Sequence, residues 1–268
     1  MRHRYKICFE FFGLNFFGSQ KQPDKRTVQD EIEKALCTLT KNKICTIFSG
    51  RTDAKVSASS QTAHFDLDDE QFKIKDINSF LYSINSILPS DIKIFSLEEV
   101  DLDFHAQKDA KFKHYRYTIL NHHVASVFSD LYLFYPYHKL DISRMNKALS
   151  FLVGYHDFSS FKSQSDNPYD DCTIYFAKAK EEIIENRNFI FIDIIGDRFL
   201  YNMIRTIAGQ LIFIERNNFS PELMKEVLEA KNRAKAADKQ IAKALTLKYV
   251  GYEDVNSYIQ KITQKEGK

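Results

Sequence analysis

The sequence predicts an α+β fold built as two units, and three observations carry that expectation. Short runs with a two-residue period alternate with longer runs of helical period. The first hundred residues give the element order βαββαβ. The chain has 268 residues, which leaves room for two units of about 100 to 150 residues.

Residues 5–12 (YKICFEFF) are aromatic and β-rich and read as a strand. Residues 27–40 follow as a helix, with Val28, Ile32, Ala35, Leu36 and Leu39 at helical spacing behind Thr27 and Asp30, a pair resembling a capping box. Residues 43–49 and 60–67 read as two strands separated by a loop, and 76–88 as a helix with Ile77, Phe80, Leu81, Ile84 and Leu88 on one face. Past Pro89 the chain is extended again over 92–99. This is the split βαβ order of ferredoxin-like domains, an antiparallel sheet with helices on one face.

The second half has similar parts. A basic strand at 111–120 precedes a helix at 141–153 (Ile142, Met145, Leu149, Leu152) that is expected to stop at Gly154. Strands near 172–181 and 187–195 come next. A helix from 199 carries Phe199, Leu200, Met203, Ile204, Ile207, Ala208, Leu211 and Ile212. A helix at Pro221 and a strand at 245–252 close the chain. The expected architecture is two ferredoxin-like (RRM-like) α+β units, residues 1–103 and 104–268, whose antiparallel sheets abut around a central cleft.

Composition narrows the function classes. At 44% hydrophobic and 28% charged residues, the chain is neither low-complexity nor a membrane protein. Its net charge of +2 leaves a nucleic-acid partner open, because a basic face can be balanced by an acidic back. Cys8, Cys37, Cys45 and Cys172 show no CxxC spacing and no secretory leader precedes them, so reduced thiols in a cytoplasmic chain are expected and a zinc site is not. Asp193 interrupts the longest apolar run, 189–195, so no membrane segment is expected. With 8 glycines in the whole chain, each one is informative.

Three clusters are candidates for chemistry. Ser49-Gly50-Arg51-Thr52-Asp53-Ala54 directly follows a strand. A carboxylate on such a loop beside a guanidinium suits a nucleophile or a general base whose pKa the arginine lowers; a plain turn is the alternative. In the second, His105 to Tyr117, bases and aromatics interleave. Strand alternation puts Lys111, Lys113, Tyr115 and Tyr117 on one face and Phe112, His114 and Arg116 on the other. Such a strand suits RNA, with cations tracking phosphate and a ring stacking on an unpaired base, and equally suits a solvated sheet face. The third, Gly196 to Arg205, opens a helix and places Arg205 at the margin of its apolar stripe. There it either snorkels to solvent or meets an anion, for which Asp53 is a candidate. No phosphate-loop or dinucleotide fingerprint is present.

Taken in order, these residues resemble the tRNA pseudouridine synthase A (TruA) family. The resemblance runs through Phe16-Phe17-Gly18, Gln22, Val28-Gln29, Gly50-Arg51-Thr52-Asp53-Ala54, Asn85, Leu88-Pro89 and Asp91-Ile92. It continues through Phe104-His105-Ala106, Tyr115-Arg116-Tyr117, Asp157 to Phe161, Phe199-Leu200, Met203-Ile204-Arg205, Gly209, Leu245, Leu247 and Tyr252. It implies a homodimeric isomerase without cofactor or metal. The substrate implied is uridine in the anticodon stem-loop of tRNA, at about positions 38 to 40, where loop bases are cheap to extract. By position it makes Asp53 the catalytic aspartate, Tyr115 the ring that stacks on the target uracil, Arg205 the arginine that pairs with the aspartate, and Arg51 a residue associated with base flipping. Lys55, Lys111, Lys113 and Arg116 are expected to contact RNA.

The implied chemistry breaks the N-glycosidic bond, turns the base and rejoins C5 to the sugar, with the carboxylate attacking the sugar or deprotonating it. Several positions depart from the family pattern. Lys55 replaces a glycine, Ser57 a histidine, Ser19 a common tryptophan, Gln107 a common arginine and Ala244 a glycine. If position 55 requires a positive φ, Lys55 costs about 1 kcal/mol, while adding a charge suited to phosphate. These departures motivate the alternative of a catalytically decayed tRNA-binding protein or RNA chaperone; an unrelated ferredoxin-like binding module is a third reading.

Overall fold

The computed structural model describes residues 1–70, 72–127, 130–164 and 169–266. The protein is mixed α+β and divides into two compact units, one of residues 1–110 with 247–252, the other of 111–246 with 253–268.

In the first unit, alternation along β1 (Arg2–Phe11) buries Tyr5, Ile7, Phe9 and Phe11. The Thr27 side chain caps α1 (Val28–Thr40) by accepting from the Asp30 backbone N–H at 3.4 Å, and Val28, Ile32, Ala35 and Leu36 become its buried stripe. Strand β2 (Ile47–Phe48) is far shorter than the expected 43–49. The backbone before it is held by helix side chains instead of a strand. The Thr46 N–H donates to Glu33 Oε1 at 2.9 Å, and Gln29 Nε2 donates to the Thr46 carbonyl at 2.9 Å. Strand β3 (Ser57–Asp68), helix α2 (Ile77–Ile87), capped by Asp76, and strand β4 (Ile92–Val100) follow. Of the expected α2 face, Phe80, Ile84 and the capping Leu88 are buried, whereas Ile77 is exposed. The strand order is β4-β1-β3 with β2 on β3, all neighbours antiparallel. The register sets Tyr5 opposite Phe65, with rings stacked at 5.7 Å.

The second unit contains β5 (Phe112–Leu120), β6 (Leu133–Phe134), α3 (Ile142–Ser150), β7 (Gly154–Asp157), β8 (Asp171–Ile184) and β9 (Arg187–Gly196). Its strands run in the order β5-β9-β8-β7 with antiparallel neighbours, and β6 pairs with β5 in parallel. Two helix ends differ from expectation. Helix α3 ends at Ser150 and is wound out by bonds from the Phe151, Leu152 and Val153 amides to the carbonyls three residues back; Gly154, at φ +118°, opens β7 instead of capping the helix. Helix α4 (Met203–Arg216) begins four residues after the expected start because Asn202 takes a left-handed conformation, φ +62°. Helix α5 (Leu223–Glu229), strand β10 (Leu245–Gly251) and helix α6 (Val255–Glu266) complete the chain.

The unit boundary also differs from a cut at residue 103. Residues 104–110 and 247–252 belong to the first unit. The Ala106 N–H donates to His64 Nδ1 at 3.1 Å, and the Tyr252 hydroxyl donates to the Ala106 carbonyl at 2.7 Å, which ties both segments to β3. Among the described residues no helix is long and apolar enough to cross a membrane.

The buried His64 accepts a hydrogen bond and must therefore be neutral at Nδ1. Burial is the main cause that pulls its pKa down to about 4, with Arg4 and His105 adding to it. Unfolding lets the ring take up a proton, so its contribution is complete above pH 6.5 and lost as pH falls towards 4, at up to about 1.4 kcal/mol per pH unit. The thermal midpoint is expected to fall across that window. In His64→Asn, whose Oδ1 can replace the Nδ1 acceptor, the fall should be flattened.

Candidate functional site

The expected site residues fall in both units: Arg51, Asp53 and Lys55 in the first, Lys111, Lys113, Tyr115, Arg116 and Arg205 in the second.

In the first unit the loop between β2 and β3 is held from its buried side. The Ser49 N–H donates to the Thr62 carbonyl at 2.8 Å and its hydroxyl to Gln61 Oε1 at 2.5 Å, while Gln61 Nε2 donates to the Gly50 carbonyl at 3.2 Å. Ser49 and Gln61 are fully buried. A second grip comes from residues 16–19. The Thr52 N–H donates to Ser19 Oγ at 2.8 Å, the Ser19 N–H to the Thr52 carbonyl at 3.1 Å, and the Lys55 N–H to the Phe16 carbonyl at 3.2 Å. This approach needs Gly18, at φ +97°, because an added Cβ would stand 2.8 Å from the Thr52 carbonyl oxygen. Ser19, a departure from the expected tryptophan, is thus the loop's clamp. Ser57, another departure, accepts from the Gly13 N–H at 2.9 Å.

The clamped loop leaves Asp53 half-buried and Arg51, Ala54 and Lys55 exposed. Arg51 makes no ion pair among the described residues. Lys55 sits at φ +68°, the left-handed region that a glycine would enter freely.

In the second unit β5 separates its residues by face. Tyr115 is 8% exposed and meets Phe199 edge-to-face at 5.2 Å. Tyr117, on the same face, is fully buried; its hydroxyl donates to the Ile241 carbonyl at 3.1 Å and burial raises its pKa. Lys113 shares this face. Burial lowers its pKa, Asp197 opposes that shift, and among the described residues it has no ion pair. Asp197 Oδ1 already accepts from the Thr173 and Arg198 amides, at 2.9 and 2.6 Å. Lys111 is exposed.

Arg116 points the other way. It binds Asp193 through two bonds, Nε to Oδ1 at 2.7 Å and an amino group to Oδ2 at 2.9 Å, and lies over the Phe191 ring at 4.7 Å. His114 Nε2 is also 2.7 Å from Asp193 Oδ1, and its Nδ1 is 2.9 Å from the Tyr258 hydroxyl. Burial pushes the Asp193 carboxyl up, but bonds from His114 and Arg116 outweigh it and leave the group below the ordinary carboxylate range. Arg116 is therefore committed to a buried anion within its own unit.

Arg205 lies in the first turn of α4 and is oriented by two groups that spacing does not reveal. One guanidinium nitrogen donates to Asn202 Oδ1 at 2.6 Å, and Nε donates to the Gln240 carbonyl at 2.8 Å. Asn202 is itself held, its Nδ2 donating to Ser163 Oγ at 3.0 Å. Gln240 reaches Arg205 because residues 236–241 lie directly on α4: the Ala237 N–H donates to Gln210 Oε1 at 2.9 Å, and a Cβ on Gly209 would be 2.0 Å from the Asp238 carbonyl oxygen. Among the described residues no group of three or more His, Cys, Asp or Glu side chains is placed to hold a metal ion.

Comparison with known proteins adds the relationship. The tRNA pseudouridine synthase family model matches residues 7–109 and 148–253. The chain is 36% identical over 252 residues to a tRNA pseudouridine synthase A of Francisella philomiragia, covering 93% of both chains. It is 37% identical over 248 residues to a protein of that description from Clostridium acetobutylicum, covering 92% of this chain and 98% of the relative.

Two substitutions test this geometry by stability alone. Lys55→Gly removes the left-handed strain and is expected to stabilise the protein by about 1 kcal/mol, a rise of roughly 2–4 °C in thermal midpoint. Gly209→Ala should do the reverse of what this change does in an ordinary helix, costing about 1–3 kcal/mol because the methyl group meets a backbone oxygen. Denaturant unfolding of both variants measures the two signs.

Proposed function

Because the chain belongs to the tRNA pseudouridine synthase family, we propose that it isomerises uridine to pseudouridine in tRNA, in the anticodon stem-loop at about positions 38 to 40, without a cofactor. Asp53 is the reacting carboxylate, Tyr115 the ring that stacks on the target uracil and Arg205 the supporting guanidinium. The observation that carries the reading is that similarity at 36–37% identity spans more than nine-tenths of the chain and takes in both units.

The reaction conserves atoms. The bond from N1 to C1′ breaks, the uracil turns, a bond from C5 to C1′ forms, and the proton leaving C5 is balanced by one gained at N1. A single carboxylate serves this sequence, acting on the ribose as nucleophile or as base. The target base must first leave its stack at a cost of a few kcal/mol, which a stacking ring and a held backbone offset. The clamp on the Asp53 loop favours such chemistry, because a carboxylate on a pinned backbone needs little reorganisation as charge develops.

Arg51, Lys55, Lys111 and Lys113 are the cations assigned to RNA phosphates, none of them ion-paired among the described residues. Arg116, whose charge is met by Asp193, is assigned to holding the strand that carries Lys113 and Tyr115. The reading also takes each unit as ferredoxin-like, supported in the first by the antiparallel order β4-β1-β3-β2, and takes the protein as a homodimer acting in the cytoplasm. The decayed-protein alternative is not favoured, since Asp53, Tyr115 and Arg205 are all retained.

Incubation with an unmodified tRNA transcript bearing anticodon-arm uridines, followed by chemical mapping of pseudouridine, tests the activity directly. Asp53→Ala is expected to lower turnover at least a thousandfold, of the order that a reacting group supplies, while tRNA affinity stays within about threefold of wild type. Turnover near the wild-type rate in that variant removes Asp53 from the mechanism.

A further inference from the structure

Two side chains beside the Asp53 loop, Phe17 and Lys55, are exposed on backbone that is held in place. Phe17 is 52% exposed. Its backbone is pinned on both sides: the N–H donates to the Arg26 carbonyl at 2.9 Å, and the carbonyl accepts from Gln22 Nε2 at 2.7 Å. The ring is thus held out on a fixed frame, not left on a slack loop. Covering a phenyl ring of this size is ordinarily favourable by a few kcal/mol at most, and that gain is forgone here. One ammonium is already in place, Lys25 Nζ at 4.8 Å from the ring centroid.

Lys55 is the second such residue. It holds a left-handed conformation, φ +68°, with its side chain exposed and no ion pair among the described residues. The two are neighbours through the backbone. The Lys55 N–H donates to the carbonyl of Phe16, and Gly18 lies against Thr52, Asp53 and Ala54. Residues 16–26 contain a single acid, Asp24, against Lys21, Lys25 and Arg26. Lys21 is paired with Asp30 at 3.0 Å, and Arg26 with Asp91 at 2.8 Å, so Lys25 joins Lys55 and Arg51 as the unneutralised charges of this surface.

We infer that Phe17, Lys25 and Lys55 form a nucleotide subsite, in which the Phe17 ring stacks on an unpaired base flanking the target uridine and the two ammonium groups hold that nucleotide's phosphates. The occupant is single-stranded RNA because the surface offers an exposed π face with Lys25 at the ring and Lys55 on the adjoining loop, neither ion-paired among the described residues, the combination that binds a base and its phosphate together. The inference rests on the proposed activity for the identity of the RNA. The strain at Lys55 is the energy given up to place a cation where a glycine would leave none.

The test compares wild type, Phe17→Leu, Phe17→Tyr and Lys55→Gln on a tRNA anticodon arm with 2-aminopurine beside the target uridine. Phe17→Leu keeps apolar bulk without the π face. It should lose the fluorescence quenching seen on binding and lower kcat/KM about tenfold, while Phe17→Tyr keeps both within about threefold of wild type. Lys55→Gln should weaken binding and reduce the salt slope by about one. Circular dichroism and thermal midpoints near wild type establish that each variant is folded. Wild-type quenching and turnover in Phe17→Leu overturn the subsite and leave the isomerase reading standing. Quenching by a wild type that makes no pseudouridine supports the subsite and overturns the isomerase reading. No binding of tRNA at all overturns both. Loss of self-association in Phe17→Leu with tRNA parameters unchanged assigns the ring to a second copy of the chain and overturns the subsite.

Discussion

The reciprocal pair of bonds between Ser19 and Thr52 is the constraint on which the Asp53 loop depends. One bond uses the serine hydroxyl as acceptor and the other uses its amide as donor, so a single buried residue fixes the peptide groups on both sides of the Thr52 Cα. A net value of about 1 kcal/mol per bond is modest, but a buried amide left without its acceptor costs about 1–3 kcal/mol. Gly18 permits the approach and the Gln61 side chain secures Gly50 on the far side. The Asp53 backbone is therefore defined by its neighbours before any substrate arrives.

The fold was legible where periodicity was strong and local. Strands β1, β3 and β4 and helices α1 and α2 follow from two-residue and helical spacing because the same residues that set the period make the core. Strand β2 was overread, since the apolar letters of 43–49 could not disclose that Glu33 and Gln29 take its hydrogen bonds. The start of α4 was misplaced because one asparagine in a left-handed conformation outweighs a continuous apolar stripe. Helix α6 gives no clear period in the sequence because its apolar positions, Val255, Tyr258, Ile259 and Ile262, are diluted by polar ones.

The candidate charged residues stand out in the sequence, and the groups that hold them do not. Ser19 reads as a missing tryptophan and proves to be a clamp. Asn202 and Gln240 carry no signal at all, because one acts through an amide oxygen and the other through a backbone carbonyl. Lys113 and Arg116 look alike as basic letters on one strand, yet alternation gives Arg116 to Asp193 and leaves Lys113 beside Tyr115 on the enclosed face. A row of bases thus divides by face, one bound to a buried carboxylate and the other enclosed without an ion pair among the described residues.

The contact between Arg205 and Gln240 is double: the side-chain Nε donates to the Gln240 carbonyl, and the Gln240 amide donates to the Arg205 carbonyl at 3.0 Å. Residues 236–241 contain no strand or helix of their own, so their order is borrowed from the helix they lie on. Any local opening that frees the Gln240 amide to exchange with solvent deuterium also loosens the carbonyl to which Arg205 Nε donates. The protection of that one amide proton is consequently a direct readout of how firmly Arg205 is aimed.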